Sequence, residues 1–394
     1  MKTLFCWSLI FALTVPLSAA DSDFKPLFNG KNLDGWINVN CAPETWSAKD
    51  GVIYCTGKPI GELRTTRQYE NFVLELEWRH LKSGGNAGVF VWAGPIGAKG
   101  VPFLRAVEVQ VLDHGYITPS LNKSYTTHGD IFPIHGSKMK PFGPSNGMRS
   151  FPSEKHSKGS PEWNHYRIEC NNGTVWLWVN GHKVSGGEDC DWRKGYIALE
   201  SEGSPVEFRN LRVKELPSSG AKPEMSAPEY EGHRTLYTGT DLRGWKFHGE
   251  GEKRWISSDW RLTNKGGESP GQSLWSTERF DDFELIFDCR SNAKESKGAI
   301  AEVSIRGNAG NQIAIPIATK KLDGYSLTPK QPVDLKRWNR YKVVAKGKQV
   351  RLFLNDDEVA TGTLPGAASS NSTIGLIDHG HHVEFANLYV RKLE

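Results

Sequence analysis

Glu108, Gln110 and Asp113 fall within six residues, in the run Glu108-Val-Gln110-Val-Leu-Asp113. Two carboxyls this close can serve one bound molecule, one giving a proton while the other takes one. If Val107 to Leu112 is a strand, Glu108 and Gln110 project from one face, and Val107, Val109 and Val111 from the other. A sandwich buries the valines and leaves the polar pair on the opposite, concave surface. Asp113 stands at the strand end and reaches that face only through a bulge or turn.

Other groups are candidates to join them. The segment from Asp113 to Ser160 is long, irregular and rich in Gly, Pro, Ser and His, a pattern that usually marks function inside a compact domain. Within it, His128-Gly129-Asp130 can set an imidazole beside a carboxylate, which raises its basicity and fixes its tautomer. Glu200 sits on a strand near the end of the same region and can line the groove. His379, His381 and His382 gather near Asp378, in a pattern that reads as a hairpin turn rather than a metal site. No Cys/His spacing matches a zinc site, and neither a Gly-rich phosphate loop nor a nucleophile elbow occurs. Strand-borne carboxyls of this kind resemble the acid/nucleophile sites of sandwich-fold glucanases, where two carboxyls about 5 Å apart perform retaining hydrolysis. The Gln at the middle position and the Asp at the last depart from that pattern.

The elements that must hold these residues occur twice. Leu27-Phe28-Asn29-Gly30 and Leu33-Asp34-Gly35-Trp36 return as Leu236-Tyr237-Thr238-Gly239 and Leu242-Arg243-Gly244-Trp245. Trp163-Asn164, leading to Val179-Asn180, returns as Trp338-Asn339, leading to Leu354-Asn355. Glu207-Phe208-Arg209-Asn210-Leu211 returns as Glu384-Phe385-Ala386-Asn387-Leu388. Phe72 to Arg79 and Phe283 to Asp288 alternate apolar and polar residues, as half-buried strands do. Asn180-Gly181 marks a hairpin turn. No stretch carries a sustained helical period with caps. The reading is all-β: two concanavalin A-like (jelly-roll) antiparallel β-sandwich domains in tandem. The expected divisions are a signal peptide at 1–20, a first sandwich at 21–216, a linker at 217–231 and a second sandwich at 232–394. The second copy reads Asn311-Gln312-Ile313-Ala314-Ile315 near the place of the Glu108 strand, with amides but no carboxylate pair. The first copy is therefore the catalytic candidate, and the second a degenerate binding or structural partner.

Lys2, the apolar run Leu4 to Val15 and the small residues Ser18-Ala19-Ala20 read as a cleaved export signal, so the mature chain is expected to be secreted or periplasmic. No later segment is long and apolar enough to span a membrane. With 49 Lys+Arg against 45 Asp+Glu, interspersed, the charge pattern excludes a nucleic-acid partner. The 14 tryptophans suit sheet cores and sugar-stacking surfaces alike. After signal removal, Cys41–Cys55 and Cys170–Cys190 form the most local of the three pairings in the first copy, and Cys289 reads as a buried thiol.

Taken together, both copies resemble the 3-keto-disaccharide hydrolase domain. The resemblance rests on Leu27 to Trp36, Gly85-Asn86-Ala87-Gly88-Val89-Phe90, Val107 to Asp113, Glu162-Trp163-Asn164, Val179-Asn180-Gly181 and Gly203 to Leu211. The family's Asn-Ser-Gly with a following Arg becomes Asn86-Ala87-Gly88 and Trp92, and its Leu-Gln-Asp-His-Gly becomes Leu199-Glu200-Ser201-Glu202-Gly203. The resemblance implies cleavage of glycosides already oxidised to a ketone at sugar carbon 3. Proton removal from C2 gives an enolate, and the enolate expels the C1 group. Glu108 or Asp113 would move one proton and His128 another. Gln110, Trp92, Asn86, Asp130, Glu200 and Arg209 would contact the carbohydrate. No metal ligand is assigned and no cofactor is demanded, although a divalent metal at the enolate oxygen is compatible with this chemistry. The alternatives are a non-catalytic, lectin-like carbohydrate-binding protein and an ordinary retaining glycosidase.

Overall fold

The computed structural model describes residues 23–292, 301–308, 311–317, 321–322, 325–326, 334–363 and 371–394. The expected signal at 1–20 lies outside them, as does much of the stretch 318–335. The described residues form antiparallel strands and one short 3-10 turn, Pro223–Met225. No helix among them is long and apolar enough to cross a membrane.

The first copy is a sandwich of two sheets. One is centred on Phe72–His80, flanked by Asn164–Asn171 and Val206–Glu215. The other runs through Ile131–Ile134, Ala106–Leu112, Asn86–Ala93, Tyr196–Ser201 and Gly61–Thr65. Val107, Val109 and Val111 share one buried cluster with Leu74, Leu76 and Trp78 of the facing sheet, as the alternation predicts. The second copy repeats the plan around Phe283–Arg290, Asn339–Lys346 and His382–Lys392. Its second sheet holds Thr373–Ile377, Ala301–Asn308 and Asn311–Ile317.

The repeated asparagines have one structural task each. Asn180 and Gly181 take φ 50° and 89°, the two left-handed residues of a tight hairpin. Asn355 and Asp356 do the same at 49° and 72°. Asn180 Oδ1 accepts from His165 N at 2.8 Å, and its Nδ2 donates to Asn164 Oδ1 at 3.0 Å. Asn355 repeats both contacts with Arg340 N (3.1 Å) and Asn339 Oδ1 (3.0 Å). Asn210 and Asn387 occupy bulges in their strands at φ 55° and 49°, a conformation Asn tolerates better than most residues.

The copies pack against each other. Phe90, Ala93, Ala106, Tyr196 and Ala198 of the first form one buried cluster with Ile286 and Tyr389 of the second. Around it, Tyr389 Oη donates to Asn40 Oδ1 at 2.8 Å, Gly100 N to Asp288 Oδ2 at 2.8 Å and Arg340 Nη2 to Gly97 O at 2.7 Å. The second copy thus roofs part of the sheet face that carries Glu108.

The expected disulfides are corrected. Cys41, Cys55, Cys170, Cys190 and Cys289 are all buried free thiols. The first four belong to the apolar cluster of the first copy and pack as small apolar side chains. Burial pushes Cys55 up to about 11 and Cys190 to about 12.

Candidate active site

The strand Ala106–Leu112 pairs with Asn86–Ala93 so that Gln110 faces Gly88 and Glu108 faces Phe90. On its other edge, Asn86–Ala93 pairs with Tyr196–Ser201, which in turn sets Glu200 opposite Glu62. The pleat therefore brings Glu62, Glu200, Gly88, Glu108 and Gln110 to one face. Gly88 leaves the space between the two acids open. A Cβ there would lie 3.0 Å from both Glu108 Oε1 and Glu200 Oε2. Glu202 follows two residues after Glu200 and joins them. Asn86, Phe103, Glu108, Gln110, Phe132, Ile134, His135, Glu200 and Glu202 enclose a groove of about 230 Å³.

Charge in this groove is unbalanced. Glu108, Glu200 and Glu62 are buried, and burial, reinforced by the neighbouring carboxylates, holds all three well above the usual carboxylate range. Glu202 is only half-buried, and burial pushes it up to about 7, against hydrogen bonds from Glu200 and Asn86. Glu200 Oε2 has no fixed hydrogen-bond partner in the structure. The site therefore holds carboxyls biased toward the protonated form beside one group, Glu202, that gains or loses a proton near neutral pH.

A directed chain of hydrogen bonds reaches Glu202 from the far side. Arg149 Nε donates to Asp130 Oδ2 at 2.7 Å, and Arg149 Nη2 to Gln110 Oε1 at 2.5 Å. Gln110 Nε2 donates to Asn86 Oδ1 at 2.9 Å. Asn86 Nδ2 donates to a Glu202 oxygen. Phe132 lies under the guanidinium, 3.5 Å from ring centre to Arg149 Cζ.

Only one trio of described residues, Glu231, His233 and Glu284, brings three metal-ligating atoms within 4.8 Å of one another. Arg391 already contacts both of its carboxylates, at 3.1 and 2.9 Å, and supplies the positive charge. Among the described residues, no trio of groove carboxyls is gathered that closely.

The model of the 3-keto-alpha-glucoside-1,2-lyase-like domain matches residues 23–214 and again 232–391. The chain belongs to this family. It is also similar, at 26% identity over 261 residues, to a 3-keto-disaccharide hydrolase of Bacteroides thetaiotaomicron, covering 52% of this chain and 82% of that one. Among solved structures, a provisionally named glycosyl hydrolase of Parabacteroides distasonis is 20% identical with a TM-score of 0.39, covering 52% of this chain and 99% of that one. The β-glucanase of Bacillus licheniformis is 12% identical with a TM-score of 0.31, covering 49% and 97%.

In this family member, four of the nine residues expected from the sequence, Glu108, Gln110, Asn86 and Glu200, line the groove. Asp130 stands behind it, fixing Arg149. The other four lie elsewhere, each for a physical reason. Asp113 accepts from Gly84 N (2.7 Å), Gly115 N (2.8 Å) and Ser160 N (2.6 Å). Those bonds outweigh its burial and hold it below the usual range, so it pins loops as a carboxylate. His128 is not paired with Asp130, whose oxygens are taken by Thr126 and Arg149. Burial, with Lys155 and His114 nearby, pushes His128 down to about 4, which leaves a neutral ring. Trp92 sits at a bulge with φ 50°, which reverses the alternation and turns its indole into the core, where Nε1 donates to Glu70 O at 2.8 Å. Arg209 is on the other sheet, paired with Glu77 at 2.6 Å and stacked on Trp163 at 3.9 Å.

Glu202, in the groove, and Arg149, behind it, are groups to which the sequence reading gave no role. Period-two spacing from Glu200 could have found Glu202. Arg149 lies in an irregular segment, where no period points to it.

Proposed function

We propose that the chain is an exported glycoside-cleaving enzyme acting on 3-keto-glycosides. Glu202 takes the C2 proton, and the C–H electrons move into the C2–C3 bond as the ketone becomes an enolate. A protonated neighbour, Glu200, donates a hydrogen bond to the enolate oxygen. Collapse of the enolate breaks the C1–O bond, and Glu108 gives its proton to the departing oxygen. Water then adds across the resulting double bond to give the free keto sugar. Asn86 and Gln110 orient the ring hydroxyls. The second copy, which lies over part of the same face, acts as a binding and structural partner.

The observation that carries this reading is the convergence of Glu108 and Glu200 over Gly88 beside Glu202. It puts acids and a base around a space the size of one sugar ring. The test is release of the aglycone by the purified mature chain from 3-keto-glucosides and from their unoxidised parents. Release from the keto substrates alone is expected. Release from the parents would point to a retaining glycosidase, and binding without release to a lectin-like protein.

A further inference from the structure

The acidic groove, at about 230 Å³, is smaller than the roughly 300–1,000 Å³ of sites that enclose a whole ligand. A glycoside whose oxidised ring fills it must place its other half elsewhere. A second cavity of about 570 Å³ lies alongside, between the two copies. His135 is the wall common to both spaces. It is fixed there, in a turn at φ 51° and stacked on Phe103 with ring centres 5.7 Å apart and planes 8° from parallel.

Three parts of the chain build the larger cavity. Trp192 and Ile96 come from the first copy, Tyr230 from the connecting segment, and Ile286 and Phe353 from the second copy. Several of the charges around them are already matched, and Lys99, Glu229, Lys342 and Asp356 also line the cavity. Arg105 pairs with Asp191, Arg340 with Asp288 at 2.7 Å, and Glu284 with His233 and Arg391. The wall is more apolar than polar, and each of its rings already carries a cation on one side: Arg105 over Trp192 at 3.8 Å, Arg64 over Tyr230 at 4.2 Å and Lys342 over Phe353 at 4.5 Å. Resting on the function proposed above, we infer that this interdomain cavity is the leaving-group subsite, and that it takes a planar, largely apolar aglycone such as a phenolic ring. The tandem arrangement then has a purpose in substrate choice, because neither copy forms this cavity alone.

The test uses the full chain and its Trp192→Ala and Phe353→Ala variants. Phe353 is partly exposed on its strand, so its truncation leaves the fold intact even if Trp192→Ala does not. The substrates are methyl and 4-nitrophenyl 3-keto-glucosides and a 3-keto-disaccharide. An aryl group is the better leaving group in every variant, so the reading is the aryl-to-methyl ratio of kcat/KM. A fall of about tenfold in that ratio, carried by KM, is expected. An unchanged ratio in both variants overturns the inference. A disaccharide turned over in preference to the aryl substrate, with that preference lost in the variants, replaces the aromatic aglycone by a second sugar. If no keto substrate is cleaved, the proposed function fails. The cavity is then judged by equilibrium binding of 4-nitrophenyl glucoside, where weaker binding by Phe353→Ala supports it and equal or absent binding overturns it.

Discussion

Arg149 fixes the hydrogen-bond direction at Glu202 without touching it. A guanidinium can only donate, so Gln110 must turn its oxygen toward Arg149 and its NH2 toward Asn86. Asn86 must then accept from Gln110 and present its own NH2 to Glu202. Glu202 is left as the acceptor, the role of a carboxylate rather than an acid. Arg149→Met frees both amides to flip. With the donor lost, the pKa of Glu202 moves further up, because a hydrogen bond to the charged form had been lowering it. The acidic limb of kcat/KM against pH is expected to shift to higher pH. An unmoved limb with a uniformly lower rate would show that Arg149 serves only to hold the loop.

Two carboxylates from the sequence motif separate by experiment. Glu108→Gln and Glu202→Gln each remove a proton-transfer group and are expected to lower kcat on a 3-keto-glucoside by about 10²–10⁴-fold with the fold intact. Asp113→Asn replaces the acceptor of three backbone N–H groups with a weaker one. It should lower unfolding free energy by about 1–3 kcal/mol and leave kcat within a few-fold. Paired kinetics and urea denaturation distinguish the two classes, and a large kcat loss in Asp113→Asn with normal stability would return that residue to the chemistry.

This contrast marks how far the sequence could be read. The two-residue period placed Val107, Val109 and Val111 in the core and Glu108 and Gln110 on the open face, and both held because the strand is regular. The repeat located the strands and hairpins, since Asn180 and Asn355 keep the same contacts in both copies. The readings failed where regularity stops. The bulge at Trp92 turned an expected ligand-facing ring inward, and the loop hydrogen bonds to Asp113 are made by chain segments far away in sequence. Arg209 was misplaced because membership of one sheet or the other is a matter of topology, which a local pattern does not carry.

The groove also makes stability depend on pH. Glu108, Glu200 and Glu202 all have folded-state pKa values raised above the unfolded ones, so the folded chain binds more protons. Their favourable contribution is complete below the unfolded value near 4.5. It is lost as pH rises through the folded values, that of Glu202 being about 7. Unfolding free energy, measured by urea titration at pH 5 and pH 8, should be lower at pH 8. Glu200→Gln keeps the shape without the charge and should reduce that difference. Equal stability of the native chain at both pH values would mean that the cluster is not protonated as described.

The paired asparagines Asn210 and Asn387 give a measure of how firmly the copies are joined. Both occupy left-handed bulges, so alanine costs about 1 kcal/mol at each from backbone strain alone. Asn210 adds only an exposed hydrogen bond to Glu77 at 3.2 Å. Asn387 is buried at the interface, accepting from Asn40 Nδ2 at 2.8 Å and donating to Ala98 O at 2.8 Å and Asp288 Oδ2 at 2.6 Å. Asn387→Ala therefore leaves several buried polar groups unpaired and should cost about 3 kcal/mol or more, against about 1 kcal/mol for Asn210→Ala. Denaturant unfolding followed by tryptophan fluorescence reads both. A single transition in the native chain that splits into two in Asn387→Ala is the expected signature of copies held together through this residue. Equal costs at the two positions would mean that the interface adds little, and a cavity that depends on it would not be formed in solution.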